Sequence, residues 1–366
     1  MYIFADEAQD LNPMQLALVR RWGGNAQYFI LAADDDQTIY SWCGANPDAV
    51  LDPEIPEDHK IILAQSHRVP RNVHARANRF IHQVSRRQEK VYAPRPEYGT
   101  CMDLSRGGFK SAEYWILKTV LEHIERGQTV MLLASCAYML QPVIAALRKW
   151  GVPFHNPYRK SKGFWNPLRL GCGGASANRI LSLLVAHPDW GDDSRPWTCR
   201  DLKSWTAWLR STGILRPEAG GQTEHSPDST PVTPEQLPKL FEAGPLESLL
   251  AAFQGDYRQL LDWWHRRLAA PFHPRVQFPM QVTLRGGPKA LSESPKVVVG
   301  TIHSVKGGEA DAVFLFPDLS RAGDAAYQRH GPDRDAVIRL FYVGMTRARQ
   351  TLYLCQRESS MAVTIQ

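Results

Sequence analysis

The chain has 366 residues, of which 43% are hydrophobic and 22% are charged, so it can build more than one packed domain and is not of disordered composition. Its formal net charge of +6 suits a phosphate-bearing partner without requiring one. The six cysteines include no C-x-x-C pair, which argues against a zinc ribbon, and with no signal peptide or long apolar run we expect a cytoplasmic protein that binds no membrane.

The first segment has the pattern of a parallel α/β unit. Residues 2–5 and 28–33 read as short buried strands, each ending in acidic residues, and residues 14–22 between them have helical spacing. Asn12-Pro13 is a typical helix start. These elements predict a strand, helix, strand unit.

A second α/β pattern begins after a connector at 52–56 that is rich in proline and acid. It is interrupted from about residue 164 to residue 295 by a tryptophan-rich segment, which we expect to be a helical insertion with a flexible loop at 216–238. We therefore expect domains at 1–57, 58–163, 164–295 and 296–366. Within the second α/β domain the predicted apolar runs and strands are 61–63, 130–134, 297–301, 312–316 and 352–355, and the predicted helices are 71–84, 113–126, 140–150 and 336–347.

The string DEAQD places Asp6 and Glu7 directly after the first predicted strand. The carboxyl ends of parallel strands form the edge at which open α/β folds bind ligands. In a nucleotide hydrolase the first carboxylate can hold Mg²⁺, and the second can deprotonate the attacking water. A bare Asp-Glu pair would favour an N-capping acid instead, so the longer string carries the functional interpretation.

The string AADDDQTIYSWCGA follows the next strand and brings Gln37 close to Tyr40 and Trp42. An amide can sense a phosphate, and aromatic rings can stack on unpaired bases. Taken alone, a polar turn followed by two half-buried aromatics explains the string equally well.

Basic residues recur at the other predicted strand ends. His67 and Arg68 precede a helix, where an arginine can reach a phosphate across a cleft and an imidazole can stack on a base. Arg347 and Arg349 are expected on one helix before the last strand. The loop after residue 300 contains Thr301, His303, Lys306 and Glu309.

The order of these strings resembles the UvrD/Rep/PcrA family of superfamily 1 DNA helicases from motif II onward. The resemblance implies an α/β fold of P-loop NTPase type with two RecA-like domains, the first truncated and the second interrupted by the insertion. It also implies ATP and Mg²⁺ in the cleft, single-stranded DNA and duplex junctions as partners, and ATP-dependent 3′ to 5′ unwinding. DEAQD resembles motif II, DDDQTIYSWCGA motif III, QSHRVP motif IV, TIHSVKGGEAD motif V and YVGMTRAR motif VI.

Carried over position by position, the resemblance implies a nucleotide site. Asp6 would hold Mg²⁺ and Glu7 would be the catalytic base. Gln37 would sense the γ-phosphate, and Arg68 and Arg347 would contact that phosphate from the second domain. His67 would stack near adenine and Glu309 would meet the ribose, while the implied DNA contacts are Tyr40, Trp42, Asn72, His303 and Lys306.

Two positions and one missing motif depart from the family pattern. The family usually has Tyr at His67, where imidazole can still stack, and Arg at Cys43, where the loss of a cation puts DNA-stimulated activity in doubt. No G-x-x-x-x-G-K-[ST] phosphate loop exists in the chain, and RGGFKS at 106–111 is rejected because Phe109 separates glycine from Lys110. The backbone cradle and lysine that anchor β- and γ-phosphates are therefore missing.

We therefore expect residue 1 to fall inside the first RecA-like domain. The chain would then be the carboxy-terminal part of a helicase, inactive alone, and would need an amino-terminal segment or a protein partner. The strand at 2–5 would lose its central-sheet neighbours and leave exposed edges, which predicts poor solubility of this first-domain remnant. The main alternative is a binding module for single-stranded DNA or a protein that does not turn over ATP. A helicase fused to a nuclease finds no support, because no Asp-Glu-Lys nuclease pattern follows the last motif.

Overall fold

The computed structural model describes residues 1–47, 51, 56–159, 163–168, 175–210, 212–217, 219 and 227–365. Most of the predicted connector at 52–56, and residues 218 and 220–226 of the predicted loop at 216–238, therefore lie outside the described residues. The described strands are β1 (Tyr2–Ala5), β2 (Tyr28–Leu31), β3 (Gln65–Pro70), β4 (Ala93–Arg95), β5 (Thr100–Asp103), β6 (Val130–Ala134), β7 (Phe154–His155), β8 (Val297–Thr301), β9 (Ala310–Leu315) and β10 (Ala348–Leu354).

Helices separate most of these strands, as the α/β prediction requires. The described α-helices are α1 (Pro13–Gly23), α2 (Arg71–Ile81), α3 (Ala112–Trp115), α4 (Leu117–Glu125), α5 (Leu140–Lys149), α6 (Ser176–Leu184), α7 (Cys199–Thr206), α8 (Leu237–Leu240), α9 (Ala243–Gln254), α10 (Tyr257–Arg266), α11 (His273–Gly286), α12 (Arg321–Gln328) and α13 (Pro332–Met345).

The first strand, helix and strand form the predicted parallel unit. β1 and β2 pair in parallel, with Phe4 opposite Ile30. The helix between them begins where the sequence indicates, because Asn12 and Gln15 form a reciprocal capping box and Pro13 occupies the first turn. The strand, helix, strand prediction is therefore confirmed.

The prediction that these two strands are buried is wrong. One face of the pair is open to solvent: Tyr2 is 72%, Phe4 64%, Tyr28 57% and Ile30 53% exposed. Parallel strands are normally covered on both faces, since crossover helices lie on each side. Here Gly23 of α1 approaches Phe29 on one face, and no described segment buries the other. This uncovered face accounts for the difference.

Two compact units are present, and the first contains residues 1–144, 156–159 and 296–366. Five of its strands form a parallel sheet in the order β5, β10, β9, β6, β8. Every residue of β6 and β8 is buried. Covering each large apolar side chain there stabilises the fold by about 1.5–3 kcal/mol, so this sheet is the core of the unit.

Helix α13 packs into the same core and sets the position of the chain before β10. It begins at Pro332, with Asp333 and Asp335 in its first turn, and it is buried continuously from Val337 to Met345. Because the helix ends at Met345, Arg347 lies beyond it and Arg349 lies in β10. The prediction that both arginines share one helix is wrong.

Several predicted bounds differ from the structure. Residues 61–63 form no strand, and Ile61 and Leu63 are 88% and 84% exposed. The predicted helix at 113–126 is broken at Ile116 into α3 and α4. The strand predicted at 352–355 begins earlier, at Ala348, because its polar first half pairs with β9 as an irregular ladder. Most local apolar runs therefore indicated a strand without giving its ends, and the run at 61–63 indicated none.

The second unit comprises residues 145–155 and 160–295 and is mainly helical where it is described. Trp205 and Trp264 are completely buried, and the indole of Trp264 donates to the carbonyl of Trp205 at 2.8 Å. The tryptophans of this unit are thus largely packing residues, as the sequence suggested. The exact domain boundaries stay predictions.

Among the described helices none is both long and apolar enough to cross a bilayer. The cytoplasmic location inferred from the sequence stays a prediction.

Candidate functional site

Asp6 and Glu7 follow β1, at the carboxyl edge of the first strand pair. The Glu7 amide donates to Asp6 Oδ1 at 2.9 Å, and the Asp6 side chain is otherwise open to solvent. Glu7 has a φ of 52°, in the left-handed region that residues other than glycine seldom adopt. Its Oε2 accepts a hydrogen bond from Gln9 Nε2 and lies 3.1 Å from Lys306 Nζ. The left-handed backbone therefore coincides with a carboxylate held by two side chains.

A chain of amide contacts links this turn to the residues after β2. Buried Gln9 accepts from the amide of Asp34 at 3.0 Å, and Gln37 Nε2 donates to Asp34 Oδ2 at 2.7 Å. The predicted catalytic base and the predicted phosphate sensor are thus connected through Gln9 and Asp34.

Arg347 is the most buried cation of the site, only 1% exposed. Its Nη2 donates to Gln37 Oε1 at 3.2 Å, its Nη1 to the carbonyl of Gly308 at 3.3 Å and its Nε to the carbonyl of Val343 at 2.9 Å. Burial, and next the positive charge of Arg68, lower the pKa of Arg347 to about 9, which leaves it cationic at neutral pH. All these hydrogen-bond acceptors are neutral.

Arg68 joins Arg347 at the same carbonyl. Its Nη1 donates to Gly308 O at 3.4 Å, and its Nε lies 3.7 Å from Glu309 Oε2. Glu309 also accepts from Arg349 Nη1 at 3.1 Å. Two guanidinium groups therefore meet at one carbonyl, and only the more exposed one is close to a carboxylate.

The loop after β8 contacts both earlier segments. His303 Nε2 lies 3.1 Å from the carbonyl of Ile39, and the Tyr40 hydroxyl donates to His303 O at 3.3 Å. Burial lowers the pKa of His303, so the imidazole is neutral at pH 7. Lys306 forms ion pairs with Glu7 and Asp10 and lies 5.4 Å from the centre of the Tyr40 ring.

The remaining predicted contacts lie on the surface. Trp42 is 74% exposed and meets Tyr40 edge to face at 6.3 Å. His67 is exposed and lines an open groove with Arg71 and Glu97. Asn72 is exposed, with its Nδ2 donating to Gly99 O at 3.0 Å. None of these three contacts Glu7, Gln37 or Arg347 in the part of the chain that is described.

Sequence reasoning missed a basic pair that holds the acidic turn after β2. Lys90 Nζ lies 2.6 Å from Asp34, 2.8 Å from Asp35 and 3.1 Å from Asp36, and Arg87 binds Asp36 at 2.7 Å. Asp35 and Asp36 are completely buried. Burial opposes the charge of Lys90, but the charges of Asp34, Asp36 and Asp35 outweigh it and raise its pKa. The one available signal was the opposite charge of the DDD and RRQEK strings.

The acidic triplet also has the spacing of a cation site, since one carboxylate oxygen from each of Asp34, Asp35 and Asp36 falls within 4.8 Å of the others. Lys90 already occupies these oxygens, so the triplet does not fit a resident metal. Asp6 fits better, because its carboxylate is open and lies at a strand end. Asp6 could therefore hold a metal, and Gln37, Arg68 and Arg347 lie close enough together to contact one anion.

The geometry defines a class of site: a carboxylate pair and converging arginines near the ends of parallel strands, next to the half-buried Tyr40 and the exposed Trp42. Residues 1–55 match the UvrD/REP helicase N-terminal domain, and residues 296–355 match the UvrD-like helicase C-terminal domain. The resemblance to UvrD-type helicases, seen first in the motifs, is confirmed by these two matches.

Curated relatives have names that point the same way. A DNA helicase II homolog of Mycoplasma pneumoniae is 22% identical over 96% of this chain and 53% of its own length. The ATP-dependent DNA helicase PcrA of Staphylococcus epidermidis is 35% identical over 24% of this chain and 12% of its own length. The ATP-dependent DNA helicase Rep of Buchnera aphidicola is 27% identical over 45% of this chain and 27% of its own length. The chain thus spans at most about half the length of these relatives.

Proposed function

We propose that this chain is the motor part, from motif II onward, of an ATP-dependent DNA helicase or translocase that moves 3′ to 5′ on single-stranded DNA. The observation that carries the proposal is the convergence of Arg347 and Arg68 on Gly308 O, beside Gln37. A buried guanidinium without a carboxylate partner is costly unless an anion completes its site. We assign this anion to the γ-phosphate of ATP, with Glu7 nearby as the base for the attacking water.

Each side chain has a separate task in this proposal. Glu7 takes the proton of the attacking water, Gln37 orients that water against the phosphate, and Asp6 holds the metal. Arg347 and Arg68 stabilise the charge that develops on the transferred phosphoryl oxygens. ATP, when bound, supplies the phosphoanhydride bond, and Mg²⁺ supplies positive charge that neutralises the phosphates.

The DNA contact is assigned to Tyr40 and Trp42. Trp42 presents an open ring that can stack on an unpaired base, and Tyr40 lies between it and the loop that carries His303. Since Lys306 Nζ lies 5.4 Å from the centre of the Tyr40 ring and 3.1 Å from Glu7 Oε2, a base at this point is close in the structure to the proposed catalytic base. This contact supports coupling of DNA binding to hydrolysis.

The test is the ATPase activity of the chain alone and joined to the phosphate-loop segment of a UvrD-type helicase, each with and without single-stranded DNA. Activity in the joined form, stimulated by DNA and lost in Glu7→Gln, is the expected result. Tyr138→Phe is the control for a general loss of folding, because Tyr138 is 53% exposed, lies shortly before α5 and forms none of the contacts described above for Glu7. Silence of the joined form would reject the motor.

A non-enzymatic module is the second candidate, and Cys43, at a position where the family usually has arginine, favours it. In that case the cationic pair would hold a phosphate group of DNA or of a partner without turnover. Retained, salt-sensitive binding of single-stranded DNA by a joined form that hydrolyses no ATP would establish this second function.

A further inference from the structure

Lys306 lies at the meeting point of the DNA-facing and nucleotide-facing residues. Its Nζ is 3.1 Å from Glu7 Oε2, forms a closer ion pair with Asp10, and lies 5.4 Å from the centre of the Tyr40 ring. The side chain is only 8% exposed. A single ammonium therefore contacts the proposed base, a second carboxylate and the proposed stacking residue.

Lys306, Glu7 and Asp10 form an internal ion-pair cluster, which we call the clamp. Glu7 and Asp10 supply two carboxylates to one cation, and Oδ1 of Asp10 is buried without a hydrogen-bond partner. A DNA phosphate would have to displace both carboxylates to reach Nζ. A phosphate contact, as implied for this position by the family resemblance, is therefore unfavourable in the state described.

The cation also occupies the face of a ring. An ammonium over tyrosine and a base stacked on tyrosine use the same π-surface, and the two contacts are of similar strength. The Tyr40 hydroxyl is tied to His303 O, so the ring cannot easily turn away from Lys306. A base that stacks on the clamped face must compete with the ammonium.

We infer that Lys306 is a positioning residue that links base stacking at Tyr40 to the freedom of the Glu7 carboxylate. In the DNA-free protein the ammonium holds Glu7 and Asp10; when a base stacks on Tyr40 the ammonium leaves the ring and its hold on Glu7 loosens. This inference rests on the proposed function, because it requires DNA at Tyr40.

The experiment measures the labelling rate of individual lysines by an amine-reactive ester, read by mass spectrometry, with and without a single-stranded oligo(dT). Binding of the oligonucleotide is followed in the same samples by fluorescence anisotropy. Lys60 is the internal control, since its 2.7 Å ion pair with Glu57 involves no aromatic ring. We expect slow labelling of Lys306 in the free chain, a several-fold rise with oligo(dT), and no change at Lys60.

The opposite results overturn the inference. Protection of Lys306 by oligo(dT) would make it a strand contact, and an unchanged rate would mean that the clamp does not respond to DNA. Lys306→Met gives an independent check: it should keep the salt slope of oligo(dT) binding, whereas a lost phosphate contact lowers that slope by about one. A wild-type chain that binds no oligo(dT) overturns the DNA-binding part of the proposed function together with this inference.

Discussion

Arg347 Nη2 donates a hydrogen bond to Gln37 Oε1 at 3.2 Å, which joins the residue before β10 to the turn after β2. These residues are 310 positions apart in the chain. Their contact brings a buried cation to a side chain that also holds Asp34, and it makes Arg347 the centre of the first prediction.

Replacing Arg347 by Met should abolish anion binding without unfolding the chain. The folded-state pKa of Arg347, about 9, lies well below its ordinary value, so burying the cation works against folding at pH 7. We expect inorganic pyrophosphate to raise the melting temperature of the wild type and not of Arg347→Met. Arg339→Met is the matched control, because Arg339 is also buried but donates to Arg86 O; loss of the pyrophosphate effect there would contradict the assignment.

The difference in unfolding free energy between the wild type and Arg347→Met should depend on pH with a definite sign. Above pH 9 the folded state releases the Arg347 proton, while the unfolded state, with its higher arginine pKa, keeps it. The unfolded chain then binds more protons, and stability rises with pH. The free energy of unfolding of the wild type relative to Arg347→Met should therefore increase from pH 8 to pH 10, measured by urea titration. A falling difference would contradict the burial argument.

Replacing Lys90 by Met should destabilise the fold strongly. Asp35 and Asp36 are buried, and removing their shared cation leaves uncompensated charge, a change that costs about 3–5 kcal/mol. Lys60→Met removes a pair whose carboxylate is 84% exposed and should cost at most about 1 kcal/mol. Urea unfolding at pH 7 measures both, and equal losses would show that the acidic turn does not depend on Lys90.

Acid should remove part of this stabilisation. Burial raises the pKa of Asp34, but the charge and hydrogen bond of Lys90 outweigh it and lower the pKa below the ordinary 3.8. A carboxylate with a depressed folded pKa stabilises the fold above its unfolded pKa and loses that contribution as the pH falls through the folded value. The stability gap between wild type and Lys90→Met should therefore narrow below pH 3.8.

Replacing Trp42 by Ala should weaken binding of single-stranded DNA by about 1–3 kcal/mol, the worth of one stacked base. Because the ring is 74% exposed, the melting temperature should hardly change. Tyr138→Ala removes an aromatic ring that is 53% exposed elsewhere and should leave binding unchanged. Fluorescence anisotropy titration with oligo(dT) measures the affinity of both variants. Equal losses of affinity in the two would show that Trp42 is not part of the DNA contact.

The open face of the first strand pair should promote self-association. Phe4 and Ile30 are directly opposite each other, and the rings of Tyr2 and Tyr28 stack beside them at 5.3 Å. Exposed apolar patches of this kind mark interaction surfaces or aggregation sites. Phe4→Thr with Ile30→Thr keeps strand propensity and should lower the sedimentation-measured association, whereas Tyr98→Thr, at a residue that is 70% exposed, should not.

The sequence by itself predicted the family resemblance and most of the elements. Ordered strings carried the family resemblance, and apolar runs at 130–134 and 297–301 coincide with β6 and β8 because fully buried parallel strands are continuously apolar. The helix start at Asn12-Pro13 was also predictable, since its capping groups are local. Features that depend on a few neighbouring residues could therefore be predicted from the sequence.

Only the tertiary structure decided which of these groups meet. Lys306 reaches Glu7 and Asp10 across almost 300 positions, and Lys90 reaches the acidic turn from a segment without any motif. The exposure of Tyr2 and Phe4 likewise depends on which chain segments cover a strand and not on the strand itself. Burial and ion pairing are properties of the folded surroundings, so residue type and spacing indicated the candidates while long-range packing selected their partners.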